Sequence, residues 1–433
     1  MFTPGIDRED LVKTILERNY SRQTTHISAV GSGKNNFVYR VSLRASEPPF
    51  NETSPPLKFG TQALPPDTTE VILRLSDPDA NLNVAVRIQN EVAAINLMQK
   101  ALTLYPLTIV PKLYGWESAD DANETGCIHG WILQESMRGL PLDTIFPNLP
   151  FEDKCKIISQ IAQIFKAIQI FQLPQTVTQI GGLGFNSEGD IISGPFTIPL
   201  GGPFSTHNDL FKANLNLQLQ AAERNVLIGG WRKGSDDNLY DRLQNFMKSS
   251  LIDDILGKTE KSTDLTLIHG DFDIHNMLID LDSLQITALL DFDFSHVSFV
   301  AEEFLYSFLF IHGLLMGPIE EDEYVALRKA QLQGFQNDTQ TSQIEEDKEK
   351  GQESVDWKLA QAWDEELARL NIQRPSCIKG IDEVSALHWF LQEISPPYFD
   401  MKRWLTSQTP EQQEKMRMEV KSTIERYLER WGF

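Results

Sequence analysis

The chain has 433 residues, with 61 Asp and Glu against 39 Lys and Arg, and a formal charge of −22 at pH 7. So acidic a surface repels phosphate backbones and anionic lipid, which argues against nucleic-acid and membrane partners; it is compatible with a cationic or neutral substrate, with solubility as the plainer reading. The length predicts two lobes rather than one compact domain.

Three cysteines, Cys127, Cys155 and Cys377, form no CxxC pair, so neither a disulfide framework nor a zinc site is expected. The opening residues MFTPGIDREDLVKTILERNY carry early acids and no apolar leader core. No apolar run approaches the ~18 residues that cross a bilayer. A cytoplasmic location is the expectation.

In chain order, Asp7 to Arg18 reads as an amphipathic helix. HISAVGSGKNNFVYRVSL reads as a hairpin, two strands around a glycine turn. Residues 46–69, rich in proline and polar side chains, read as a loop or insertion. VILRLS, 71–76, is a short buried strand. Val84 to Ala101 has helical periodicity, and Thr108 to Trp116 and Cys127 to Leu133 read as strands. An antiparallel five-stranded sheet with one main helix is therefore expected over roughly residues 20–133, with about five strands being an ordinary sheet size.

Beyond Gly139 the pattern turns helical. Helices are expected at Pro150 to Phe171, Asn208 to Arg224, Asp236 to Ile255, Ala301 to Leu315, Glu321 to Gly334, Ser354 to Leu370, Ile381 to Gln392 and Pro410 to Trp431. Residues 181–195, GGLGFNSEGDIISGP, read as a glycine-rich loop or small hairpin. Leu265 to His269 and Ile286 to Asp291 read as short strands, and the polar stretch 336–352 as a connection.

The chemistry is concentrated in LTLIHGDFDIHNMLID and the ITALLDFDFSH that follows. A buried strand ends at an acid, Asp271, with an amide, Asn276, five residues on. A second strand delivers Asp291. Two strands ending in Asp, Asn and Asp gather hard oxygen donors, which suits Mg²⁺ with phosphate oxygens and water completing its shell. An acid beside such a metal can accept the proton of an attacking hydroxyl.

HGDFDIHN resembles the HGDxxxxN catalytic loop of the aminoglycoside phosphotransferase and choline kinase superfamily, and DFD at 291–293 resembles its metal-binding triplet. PKLYGW, the 46–69 insertion and the GGLGF block are similar to the fungal branch of that family. The resemblance implies an α+β, bilobal, protein-kinase-like fold. It places a small antiparallel nucleotide-binding lobe at 1–133, a hinge at 134–140, and a larger helical catalytic and substrate-binding lobe at 141–433.

It further implies a small-molecule kinase that transfers the γ-phosphate of ATP, or of another nucleoside triphosphate, to a hydroxyl. Asp271 would be the base, and Asn276 and Asp291 would hold Mg²⁺. Gly31, Ser32 and Gly33 would cover the phosphates, and Arg74, where the family more often has lysine, would clamp them and pair with Glu91. The backbone from Gln134 and Glu135 to Met137 would hold the base. His269 is a supporting residue in this reading, and Asp293 is either an accessory to the metal or structural.

The substrate site stays open. Trp357, Trp363, Trp389, Tyr398 and Trp404 are candidates, as are Glu302, Glu303 and Asp400 for an ammonium group, each with packing or surface placement as the plainer reading. Two alternatives use the same residues: a nucleotide-binding pseudokinase, and ATP-dependent activation or condensation in a biosynthetic pathway. A protein kinase is not expected, because Gly270 replaces the loop arginine and no APE-like segment follows Asp291.

Overall fold

The structure is a computed structural model that describes residues 7–30, 35–45, 57–119, 129–232, 238–257, 265–335 and 355–433. The chain divides into two compact units. The first is Met1–Gln160, Ala167–Pro203 and Thr266–Val297; the second is Ile161–Lys166, Phe204–Leu265 and Ser298–Phe433.

The first unit is built on a five-stranded sheet. Its strands are β1 (Thr24–Ala29), β2 (Asn36–Leu43), β3 (Glu70–Ser76), β4 (Leu113–Glu117) and β5 (Trp131–Glu135), in the order β1-β2-β3-β5-β4, with every pairing antiparallel. The expected sheet is present.

Alternation along these strands separates the two faces. Tyr39, Val41 and Leu43 of β2, Val71, Leu73 and Leu75 of β3, and Trp131 and Leu133 of β5 form one core with Val12, Ile15 and Leu16 of helix α1 (Arg8–Tyr20). Asp7 caps α1 by accepting from the Glu9 amide at 3.2 Å. The alternate residues, Arg74 of β3 and Gln134 of β5 among them, are thereby turned to the other face of the sheet.

Helix α2 (Arg87–Ala101) is buried nearly all round, including Arg87, Asn90 and Glu91. A buried polar side chain must be hydrogen-bonded, and Asn90 is: it donates to Thr197 Oγ1 at 2.8 Å and to the Ser295 carbonyl at 2.9 Å. The helix starts at Arg87 rather than at the expected Val84, with no side-chain cap at Val86.

The rest of the first unit is a set of small β pairs. β6 (Leu140–Pro141), too short to read in the sequence, pairs with β10 (Met277–Asp280), which also pairs with β11 (Gln285–Leu289). The expected hairpin at 181–195 is β7 (Gly182–Phe185) with β8 (Ile191–Gly194). β9 (Thr266–Ile268) precedes the loop that carries Asp271.

The second unit is mainly helical: His207–Arg224, Leu239–Lys248, Leu251–Leu256, Asp322–Gln333, Trp357–Arg369, Ile381–Ile394, Lys402–Ser407 and Pro410–Arg430. Phe246, Phe390, Tyr427 and Trp431 pack ring on ring at its centre. Thr409 and Gln412 form a capping box at the start of the last helix.

Two helical expectations need correction. The helix read over Asp236 to Ile255 is broken at Ser249, whose backbone is extended and whose Oγ donates to the Phe246 carbonyl at 2.7 Å. Serine offers the chain a local alternative to helix bonds. Ala301 to Leu315 is not one helix but a short turn, Glu303–Tyr306, flanked by 3₁₀ turns. Phe308 and His312 have φ of 69° and 58°, which folds the segment back so that the Leu315 amide donates to the Phe304 carbonyl at 2.7 Å. Its continuous apolarity reflects burial rather than helical period.

The expected connection at 336–352 and the first part of the 46–69 insertion lie outside the described residues. Among those described, 57–69 contain no helix or strand, and no helix is long and apolar enough to cross a membrane.

Candidate functional site

Two clusters form the candidate site, both within the first unit. Arg74 is the centre of one. Its fork donates to the Glu91 carboxylate and, from Nη2, to Asp291 Oδ1 at 2.9 Å, with Asp293 Oδ2 at 3.6 Å. The sequence-predicted pair of Arg74 with Glu91 is therefore formed, and the same guanidinium reaches the DFD acids. Burial works against the charge of Arg74, but Glu91, Asp291 and Asp293 together raise its pKa. Burial pushes the Glu91 carboxyl well up, against the pull of Arg74.

The second cluster is the loop after β9. Gly270 has φ +79°, and a Cβ there would sit 2.6 Å from the Phe294 carbonyl oxygen. Only glycine fits, and that turn sets up the placement of Asp271. The Asp271 carboxylate accepts from Asn276 Nδ2 at 3.0 Å and from His275 Nε2 at 3.2 Å. Burial alone would raise its pKa, but the His275 bond and charge outweigh it, and Asp271 lies below the ordinary carboxylate range. The same contact raises His275.

Asn276 Nδ2 donates also to the Asp271 carbonyl at 2.8 Å, so its amide oxygen faces away from that bond. His269 is fully buried and its pKa falls to about 4. It is neutral, donates from Nε2 to the Leu290 carbonyl at 3.2 Å and packs on Phe292. The supporting reading of His269 fits this placement.

Leu290 links the clusters. Its amide donates to the Asn276 carbonyl at 2.9 Å while its carbonyl accepts from His269. The next residue, Asp291, has φ 61°, the left-handed region in which a non-glycine side chain is held only by its surroundings. Its side chain is 43% exposed, and Arg74 bonds only Oδ1.

The amide oxygen of Asn276 and Oδ2 of Asp291 are hard oxygens of the kind Mg²⁺ takes beside phosphate and water. The residues present fit that ion. Among the described residues no three His, Cys, Asp or Glu side chains converge as a metal site; the donors here are one carboxylate and one amide.

Of the other predicted residues, Gln134 is buried on the Arg74 face with its side-chain oxygen unbonded. An orphaned buried acceptor is costly and marks a place where a donor can bind. Glu135 accepts from the Lys112 amide at 3.2 Å, and Met137 is half-buried. Gly31, Ser32 and Gly33 lie outside the described residues. Sequence reasoning missed His275, Asn36 and Arg87.

In the second unit the candidate substrate residues are engaged in packing. Trp363 is buried against Phe308, Trp389 Nε1 donates to the Leu315 carbonyl at 2.9 Å, and Tyr398 and Trp404 stack with Phe399. Trp357 packs beside Leu327 and Ala360. Glu302 faces His207 at 3.3 Å, Glu303 accepts from Ser307 Oγ at 2.5 Å, and Asp400 accepts from Asn225 Nδ2 at 2.6 Å.

Comparison with known proteins meets this geometry from outside. The sequence model of the phosphotransferase enzyme family, APH, matches residues 62–341, more than half of the chain. The chain belongs to that family. Among solved structures it is similar to an aminoglycoside phosphotransferase in complex with GDP and kanamycin, at 14% identity over 95% of this chain and 98% of that one, with a TM-score of 0.44. Another such phosphotransferase, in a ternary complex with streptomycin and ATP, is 13% identical over 76% and 88%, at 0.43. An ethanolamine kinase of Plasmodium vivax is 12% identical over 97% and 95%, at 0.42. No curated protein matches by sequence.

Proposed function

We propose that the protein is a small-molecule kinase that transfers the γ-phosphoryl group of ATP to a hydroxyl of a metabolite in the cytoplasm. The observation that carries this reading is the convergence of Arg74, Glu91 and Asp291 on one side of Leu290 and of Asp271 and Asn276 on the other. In this reading 134–140 is the hinge between a nucleotide-binding lobe, 1–133, and a catalytic and substrate-binding lobe, 141–433. Gly31, Ser32 and Gly33 cover the phosphates, and the backbone from Gln134 and Glu135 to Met137 holds the base.

Asn276 and Asp291 hold Mg²⁺, and the bound Mg-nucleotide supplies the phosphoryl group and the charge that screens it. Arg74 clamps the phosphates from the β3 side. Asp271 is a carboxylate, far too weak a base to deprotonate a free hydroxyl outright, and the His275 contact lowers its pKa further. Its work is to orient the acceptor hydroxyl and to take the proton as the bond to phosphorus forms.

Arg74 tests the nucleotide half of this reading. Arg74→Met removes the cation from three carboxylates and should raise the Kd for Mg-ATP by about tenfold or more, while Arg74→Lys, a smaller cation, should recover most of that loss. Calorimetric titration of both variants, with melting temperatures taken alongside, checks it. Equal ATP affinity in Arg74→Lys and Arg74→Met would remove the phosphate-clamp role.

A further inference from the structure

We propose that Arg87 is a positioning residue that ties the Asp291–Asp293 loop to the start of β2, with Asp293 as its relay and not as a metal ligand. The inference rests on the reading of Asp291 as the acid that meets the metal.

Asp293 is 1% exposed and its carboxylate is already filled. Asn36 Nδ2 donates to Oδ2 at 2.6 Å, Arg87 Nη2 lies 3.3 Å from both oxygens, and Arg74 stands at 3.6 Å. Both oxygens of Asp293 are engaged by Arg87, and Oδ2 also by Asn36, inside the buried interior. Asp291, two residues earlier, is the more open acid: its side chain is 43% exposed and only Oδ1 is bonded to Arg74.

Arg87, also 1% exposed, does more than neutralise this acid. Its Nη2 donates to the Asn35 carbonyl at 3.1 Å and to Asn36 Oδ1 at 3.0 Å, and Nη1 reaches the Asp77 carbonyl at 3.4 Å. Asn36 therefore accepts from Arg87 through its amide oxygen and donates to Asp293 through its amide nitrogen. One guanidinium joins the N-terminus of α2, the first residues of β2, the end of β3 and the DFD loop.

Buried ion pairs add little net stability compared with apolar packing, because desolvation cancels most of the attraction. A planar donor fork shared among three segments does fix their relative placement. Lysine would keep the charge and lose the fork. The position of Asp291 relative to β2 thus depends on Arg87 through Asp293 and Asn36.

Arg87→Lys tests this, with Asn36→Ala as the second variant should the first fold poorly. Hydrogen exchange on the nucleotide-free protein should show faster exchange at 35–43 and at 290–297 together, with Ile381–Ile394 unchanged. Acceleration in only one of the two segments, or across the whole chain, overturns the tie. In the same variants the Kd for ATP with Mg²⁺ should rise about tenfold or more, while the Kd for ATP in EDTA stays within about twofold.

Equal losses with and without Mg²⁺ would mean a general structural role, and the positioning role would fall. If the unmodified protein binds no ATP yet both segments loosen together, the kinase reading fails and the tie between Arg87, Asp293 and β2 stands.

Discussion

Asp271→Asn should lower turnover about 100-fold or more, the usual scale for losing a positioned acid or base, and leave Mg-ATP affinity within a few-fold. The separation follows from the contacts. Asp271 bonds Asn276 and His275 within its own loop and makes no ion pair with Arg74. An asparagine keeps the size and can still accept from both donors, so the loop should hold and the melting temperature should stay close to that of the unmodified protein. What is lost is the charge that orients a hydroxyl proton. Steady-state kinetics and nucleotide titration on one preparation check both halves. Retention of most turnover by Asp271→Asn would mean that the proton goes elsewhere.

Asp291→Asn should fail differently. Asparagine tolerates the left-handed backbone at this position, so little folding penalty arises from φ 61°. The change takes away the one open carboxylate of the DFD segment. Mg²⁺-dependent tightening of ATP binding should disappear, with turnover falling about 100-fold or more, while ATP binding in EDTA is unchanged. Asn276→Ala should go part of the way, because an amide oxygen is the weaker ligand. Mg²⁺ still tightening ATP binding in Asp291→Asn would place the metal on other residues.

The sheet was legible because Phe37, Tyr39 and Val41 alternate along one strand and VILRLS reads as a short buried one; in the structure Tyr39, Val41 and Leu43 share a core with Val71, Leu73 and Leu75. The candidate segment was legible because Asp271, Asn276 and Asp291 are local, each a few residues past an apolar strand. The pairing of Arg74 with Glu91 followed from order and type, and both side chains meet.

Other features had no local signature. β6 is two residues long and exists only through its pairing with β10. The folded-back segment after Glu303 depends on left-handed residues, Phe308 and His312, that composition does not announce. Arg87 was not singled out in the sequence, and charged side chains are rarely buried. Its partners, Asn36 and Asp293, lie 51 and 206 positions away, beyond any spacing rule.

The most direct test of the account is the mass of the acceptor product. The protein is incubated with ATP, Mg²⁺ and a fractionated metabolite extract, and the products are compared with those from Asp271→Asn. The account predicts an acceptor that gains one phosphoryl group at a hydroxyl, with one ADP formed for each, and predicts that this product is nearly absent with the variant. An acceptor that carries a nucleotidyl group with release of pyrophosphate, or binding of Mg-ATP with no phosphorylated acceptor in any fraction, would contradict it.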